Sequence, residues 1–303
     1  MRRSHFIAIG VFTVGSVVAL YAQQRGGPAD HPAVTVKGQT YTPASILARN
    51  MGSTQDQETQ FPPHKIIGNV YYVGTRTLSS FLIVTPQGHI LMDSTYERNV
   101  PTIKKSVEQL GFKFADIKIL LGNHAHGDHQ EGDAAVKQMT GATVMAVAED
   151  IPALKAIMPG GKDHPIDRVL HDNDTISLGT TMLVARLTAG HTRGATTYTA
   201  KIEEAGKTYD VVFFSSLRAG GVVTPAVAAE FNHTFSLVRS LPCDVPLGDH
   251  PAEYDMQAKY ATLAASGGNP FIDKSHCFDE ADIQEAMYRA VVEEQKATES
   301  RQR

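Results

Sequence analysis

The chain has no Lys/Arg block, no low-complexity tract and no repeat of short period, and its formal net charge is only −4 over 303 residues. Those absences remove nucleic acid and anionic membrane surfaces as evident partners, and they exclude a repeat architecture. Ser-x-x-Lys and Gly-x-Ser-x-Gly are missing as well, so a serine nucleophile has no motif to occupy. Cysteine is scarce, with Cys243 and Cys277 alone in the chain. One long apolar run exists, from Phe6 to Leu20, and it lies at the very start.

That run follows the basic "MRRSH" and precedes Tyr21-Ala22-Gln23, the layout of a secretory signal over residues 1–22. It is short for a membrane span, although an uncleaved anchor is the other reading. No cysteine stands near the cleavage region, so lipid modification is not expected there. The expectation is export to the periplasm, with the mature chain starting around Gln23 and no stable membrane anchor. In an oxidising compartment an even cysteine count suggests one disulfide, Cys243 to Cys277; two unpaired buried thiols are the alternative.

A polar lead containing Pro and Gly, residues 23–63, precedes a regular pattern that fills residues 64–303. "IIGNVYYVGT" and "SSFLIVTPQGHILMDS" predict strands, with Pro86-Gln87-Gly88 as a hairpin turn. "VPTIKKSVEQLG" predicts an amphipathic helix, started by Pro101 and stopped by Gly111. "IKILL", "ATVMAVAE", "TMLVARLT", "YDVVFFSS" and "CDVPL" predict further strands. Helices are expected around Asp133 to Met139, over "PAVAAEFNHTFSLVRSLP" and from Glu280 to Glu294. The last has Ile283, Ala286, Met287, Ala290 and Val291 on one apolar face. Helices and strands mix without a dividing linker, so a single α/β domain of layered sheets and helices is predicted.

Chemistry concentrates at strand ends. "GNHAHGDH" follows "IKILL" and packs His124, His126, Asp128 and His129 into six residues. In an extended segment His124, His126 and Asp128 would point one way, and Gly127 would let Asp128 and His129 swing toward a second point. One loop could thus feed two cations. Imidazole with carboxylate suits zinc, and a catalytic zinc takes three protein ligands plus water. Two more ligands are needed for two sites; His191 in "AGHTRG" and His250 in "LGDHP", both at strand ends, are the candidates. Other histidines, such as His64 and His164, read as exposed or satisfied core residues.

From about Lys65 onward the chain resembles the metallo-β-lactamase superfamily, and within it the β-lactamases of subclass B3. The residues carrying the likeness are "NHAHGDH", "TAGHTRGATTYT", "FFSSLRAGG" and "LPCDVPLGDHP". The resemblance implies a four-layer αββα sandwich with two zinc ions at its edge. It implies a first zinc on His124, His126 and His191, and a second on Asp128, His129 and His250. Many relatives place a metal-bridging aspartate where Ser215 and Ser216 stand here; subclass B3 has serine, which points to β-lactams as the small-molecule substrate. Lactones, thiolesters and phosphoesters are the alternative substrates on the same scaffold. The disulfide between the "LPCDV" segment and the C-terminal helix also fits that subclass.

Hydroxide generated at the cations is expected to open the lactam amide of penicillins, cephalosporins and carbapenems, conferring resistance. Asp128 is expected to orient the attacking water as well as to ligate. Ser216 reads as a binder of the substrate carboxylate or as a turn residue. Arg218 stands where some relatives have a second serine; it reads either as a bidentate partner for that carboxylate or as an exposed loop arginine.

Overall fold

The computed structural model describes residues 30–302 except residue 266. The secretory signal expected over residues 1–22 lies outside them. The chain opens with a small hairpin, β1 (Val34–Val36) and β2 (Gln39–Tyr41), then helices α1 (Pro43–Met51) and α2 (Thr54–Glu58). Thr42 caps α1 by accepting from the Ser45 amide at 3.1 Å, and Pro43 takes the first turn, where its missing N–H costs nothing.

A seven-stranded sheet follows in spatial order β3 (His64–Ile67), β4 (Val70–Tyr72), β5 (Phe81–Thr85), β6 (Gly88–Met92), β7 (Ile117–Leu121), β8 (Thr143–Val147) and β9 (Arg168–Leu170). The hairpin strands β3 to β6 are antiparallel, whereas β6 to β9 are parallel. Parallel neighbours need crossovers. These are α3 (Val100–Gln109), the short α4 (Gly127–Gln130) with α5 (Asp133–Thr140), and α6 (Ile151–Leu154) with the loop after it.

The second sheet has five strands in the order β10 (Thr175–Leu178), β11 (Thr181–Leu187), β12 (Thr196–Glu204), β13 (Lys207–Phe214) and β14 (Val245–Gly248). β11 and β13 are both antiparallel to β12, so they run the same way, and β14 is parallel to β13 through α7 (Pro225–Ser240). Helices α8 (Met256–Leu263) and α9 (Asp279–Gln302) complete the chain.

Side-chain alternation makes this a four-layer αββα sandwich. Ile83, Ile90, Met92, Ile119 and Leu121 face between the sheets, against Leu183, Tyr198, Val211, Phe213 and Leu247 of the second sheet. Their neighbours Leu82, Leu91 and Leu120 point outward to Ile103 and Val107 of α3 and Val136 of α5. On the opposite outer face Phe231, Phe235 and Val238 of α7 meet Ala281 and Tyr288 of α9. Burial on both faces explains why the central strands read as unbroken apolar runs.

Cys243 and Cys277 are bonded, with an S–S distance of 2.00 Å, and they pin the approach to β14 onto the start of α9. That last helix departs from expectation. It is longer, and although Ile283 and Met287 are buried as predicted, Ala286, Ala290 and Val291 are only half-buried, while Gln284 and Tyr288 are buried. The reason is that α9 is gripped along two stripes. Ala281 and Tyr288 pack on α7, and Ile283 and Met287 pack with Ile46 of α1 beside the N-terminal hairpin.

Candidate metal centre

Strand direction decides where the site lies. The loops after β6, β7 and β8 leave one edge of the first sheet, and those after β11, β13 and β14 leave the facing edge of the second. Ligands collect at such carboxyl ends of parallel strands. Asn123 stitches the two edges together: its amide donates to Asp93 Oδ1 at 2.9 Å, its carbonyl accepts from Thr196, and its side chain reaches the Phe214 carbonyl at 3.2 Å.

Beyond Asn123 the chain bends, the His126 amide donating to the His124 carbonyl at 2.9 Å, and after an extended His126 it takes the single turn α4. Gly127 therefore does more than loosen the loop. The helical turn carries Asp128 away from His124 and His126 and sets it beside His129, so a bend and a helical turn, not the alternation of an extended run, distribute these side chains. His124 Nε2 and His126 Nδ1 lie 3.0 Å apart. The His191 ring stands nearly perpendicular to both, with centroids 4.6 and 4.8 Å away. Asp128 Oδ2 is 3.3 Å from His129 Nε2 and 3.8 Å from His250 Nε2. Two clusters face the cavity, His124/His126/His191 and Asp128/His129/His250, each with its donor atoms within 4.8 Å of one another; a third, fully buried group, His124/His129/Asp249, meets the same distance.

Four of the five rings are oriented from behind. His191 Nδ1 donates to the Arg218 carbonyl at 2.7 Å and His250 Nδ1 to the Thr77 carbonyl at 3.0 Å. His129 Nδ1 faces Asp93 Oδ2, and His124 Nδ1 faces Asp249 Oδ2, each at 3.3 Å. Engaging Nδ1 leaves Nε2 as the free lone pair, the arrangement that presents imidazole to a metal. His129 Nε2 is buried and faces Asp128 Oδ2 at 3.3 Å without a hydrogen bond of good geometry. A buried nitrogen and a carboxylate oxygen that converge without a well-formed hydrogen bond would be satisfied by a cation held between them. With imidazole and carboxylate donors in groups of three, the residues present fit zinc.

Electrostatics differ across the site. Burial, reinforced by His129 and His126, lowers His124 to about 3. Burial also lowers His126, His250 and, more strongly, His191. For His129 burial is overcome by the carboxylates of Asp128 and Asp93, which raise it well above its ordinary value. For Asp128 burial is overcome in turn by His129, His250 and His124, so its carboxyl is held far below the usual range. Asp93 is pushed up to about 6 by burial.

Three carboxylates here escaped the sequence analysis. Asp93 and Asp249 orient the rings of His129 and His124. Asp150, closing the short 3-10 turn after β8 and 3% exposed, accepts from the Ala125 amide at 2.8 Å, the Thr192 hydroxyl at 2.7 Å and the Gly194 amide at 2.7 Å. It thereby locks the His124–His126 segment to the loop of His191. The signal was a lone acid at each strand end, which in sequence looks like any turn residue.

Ser215 and Ser216 separate in role. Ser215 is buried beneath the site, its hydroxyl 3.4 Å from His124 Nδ1, while the Ser216 amide donates to Asp249 Oδ2 at 2.8 Å. Ser216 and Arg218 both line the open cavity of about 160 Å³ in front of the two clusters. The Arg218 guanidinium is half-buried there and forms no ion pair among the described residues. Leu47, Asn50 and Met51 of α1 form another wall, which the sequence had assigned only to an N-terminal extension.

No protein-family model matches the chain. Solved structures do. The metallo-β-lactamase FEZ-1 from Legionella gormanii is 38% identical, covering 79% of this chain and 98% of that one, with a TM-score of 0.75. BJP-1, a subclass B3 metallo-β-lactamase of Bradyrhizobium japonicum, is 32% identical over 80% of this chain and 98% of its own, with a TM-score of 0.74. SMB-1, solved in complex with mercaptoacetic acid, is 32% identical over 79% and 99%, with a TM-score of 0.73. The chain belongs to the metallo-β-lactamases, hydrolases of cyclic amides, and its likeness is to subclass B3.

Proposed function

We propose that this enzyme hydrolyses the β-lactam ring of penicillins, cephalosporins and carbapenems with two zinc ions, acts in the periplasm after export, and protects its host from those antibiotics. The observation that carries the proposal is the pair of three-donor clusters opening on one cavity, with ring nitrogens held toward each other by partners behind them. His124, His126 and His191 would hold the first zinc; Asp128, His129 and His250 the second. Zinc bound there supplies Lewis acidity and brings the pKa of water down to near 7.

The chain's own groups do the rest. Asp128, ionised in its cluster, accepts a hydrogen bond from the attacking water and fixes its line of approach to the lactam carbonyl. The positive guanidinium of Arg218, without a protein carboxylate of its own, takes the substrate carboxylate through two parallel N–H donors, with Ser216 beside it. A bound anion would offset the cost of half-burying that charge. Among the described residues no helix is long and apolar enough to cross a membrane, and the disulfide suits an oxidising compartment.

The test is nitrocefin hydrolysis by the purified chain with and without EDTA, alongside elemental analysis. Two zinc ions per chain and loss of turnover on chelation are expected. Equal turnover after chelation would exclude metal-dependent hydrolysis.

A further inference from the structure

Every residue lining the active-site cavity is polar, charged or a histidine, except two. Leu47 and Met51 sit at i and i+4 on α1 and share one face of that helix. Both are half-exposed, and neither packs into any of the hydrophobic clusters among the described residues. The adjoining stripe of α1, Ile46 and Asn50, is buried and rivets the helix in place. Ile46 packs with Ile283 and Met287 of α9. Asn50 Nδ2 donates to Glu253 Oε1 at 2.8 Å, and Arg49 Nη2 donates to Glu280 Oε1 at 2.7 Å. The helix is thus a fixed wall whose one apolar stripe has no protein partner and looks into the cavity.

Resting on the lactamase reading, we propose that Leu47 and Met51 form the subsite for the apolar acyl substituent of the substrate. A β-lactam is polar at one end and variable at the other. Its carboxylate is on the carbon beside the ring nitrogen, and its acylamino group is on the far side of the four-membered ring. With the carboxylate drawn to Arg218 and the lactam at the histidine clusters, the acyl group meets the remaining lining that is apolar. Selectivity among side chains then resides in α1. The neighbouring loops at residues 75–80 and 158–164 are a poorer fit, since none of their described residues lines the cavity.

The test compares benzylpenicillin, which has a phenylacetyl side chain, with 6-aminopenicillanic acid, which has none. In the Leu47→Ala/Met51→Ala variant, kcat/KM for benzylpenicillin should fall about tenfold, the scale of losing a few methylene contacts in a pocket. For 6-aminopenicillanic acid it should stay within about twofold, since that compound makes no such contact. The volume-conserving variant Leu47→Met/Met51→Leu should keep the wild-type ratio. An equal fall for both compounds, no fall for either, or the same selective loss from Met158→Ala alone would overturn the proposal. A wild-type chain that opens neither compound would overturn the lactamase reading itself, and the subsite with it.

Discussion

The two donor clusters share one loop yet handle charge in opposite ways. His124, His126 and His191 form a group without a carboxylate, where burial and mutual repulsion keep the imidazoles neutral. Asp128, His129 and His250 contain an acid, and His129 lies between Asp128 and Asp93, whose carboxylates raise its proton affinity. The first cluster is therefore ready to ligate as it stands. In the second, protons compete with a cation at His129.

The contrast is broken most directly at Asp128. Asp128→Asn keeps the shape and removes the charge, and kcat should fall by about 10²–10⁴, the scale of a positioned acid–base group. Zinc should leave the second cluster only, so elemental analysis should read close to one ion per chain. Loss of both ions would make the clusters one cooperative unit.

A finer test uses the groups behind the rings. Asp150→Asn should weaken metal affinity of the first cluster, and Asp93→Asn that of the second, each by about 10–100-fold, as for other supporting carboxylates. Titration with a competing chelator reads both constants. Arg218→Ala belongs to neither cluster. It should raise KM for penicillins about tenfold and leave kcat nearly unchanged, the mark of lost charge-assisted binding.

Acidity should separate the clusters in order. Because the proton affinity of His129 is raised above its ordinary value of 6.5, protons compete with a cation there more strongly at every step downward from neutral pH. In the first cluster His124 takes a proton only near pH 3 and His191 is also well below its ordinary range. Dialysis at falling pH should give two ions per chain, then one, then none. Simultaneous loss would contradict the charge assignment.

The smallest effect on turnover is expected far from both. Replacing Cys243 and Cys277 by serine opens a link across 34 residues and should lower stability by about 3–4 kcal/mol in the chain-entropy model, with kcat nearly unchanged. Thermal melts and nitrocefin rates measure the two.

Local patterns made much of this molecule legible. The crowded histidine loop, the apolar runs of β5 to β8, the helix after Pro101 and the histidines at strand ends are all features of neighbouring residues. What stayed hidden depends on distant partners. Asp93 matters because His129 stands 36 residues away, and Asp150 because Gly194 stands 44 away. β12 was not recognised as a strand because Thr196 and Thr197 are both buried at the edge of the site, where alternation predicts one of them outside. The role of α1 was missed for a related reason. Its cap at Thr42 and Pro43 is readable, but only folding places its Leu47 and Met51 in front of residues far along the chain.

Asp249 and His250 are consecutive at the end of β14, yet Asp249 backs His124 of one cluster while His250 belongs to the other. A single peptide unit, about 3.8 Å from one Cα to the next, therefore serves as a rigid spacer between the two halves of the centre. Breathing of the surrounding loops would carry both halves along together, and the gap that must accommodate one small molecule is preserved by covalent geometry.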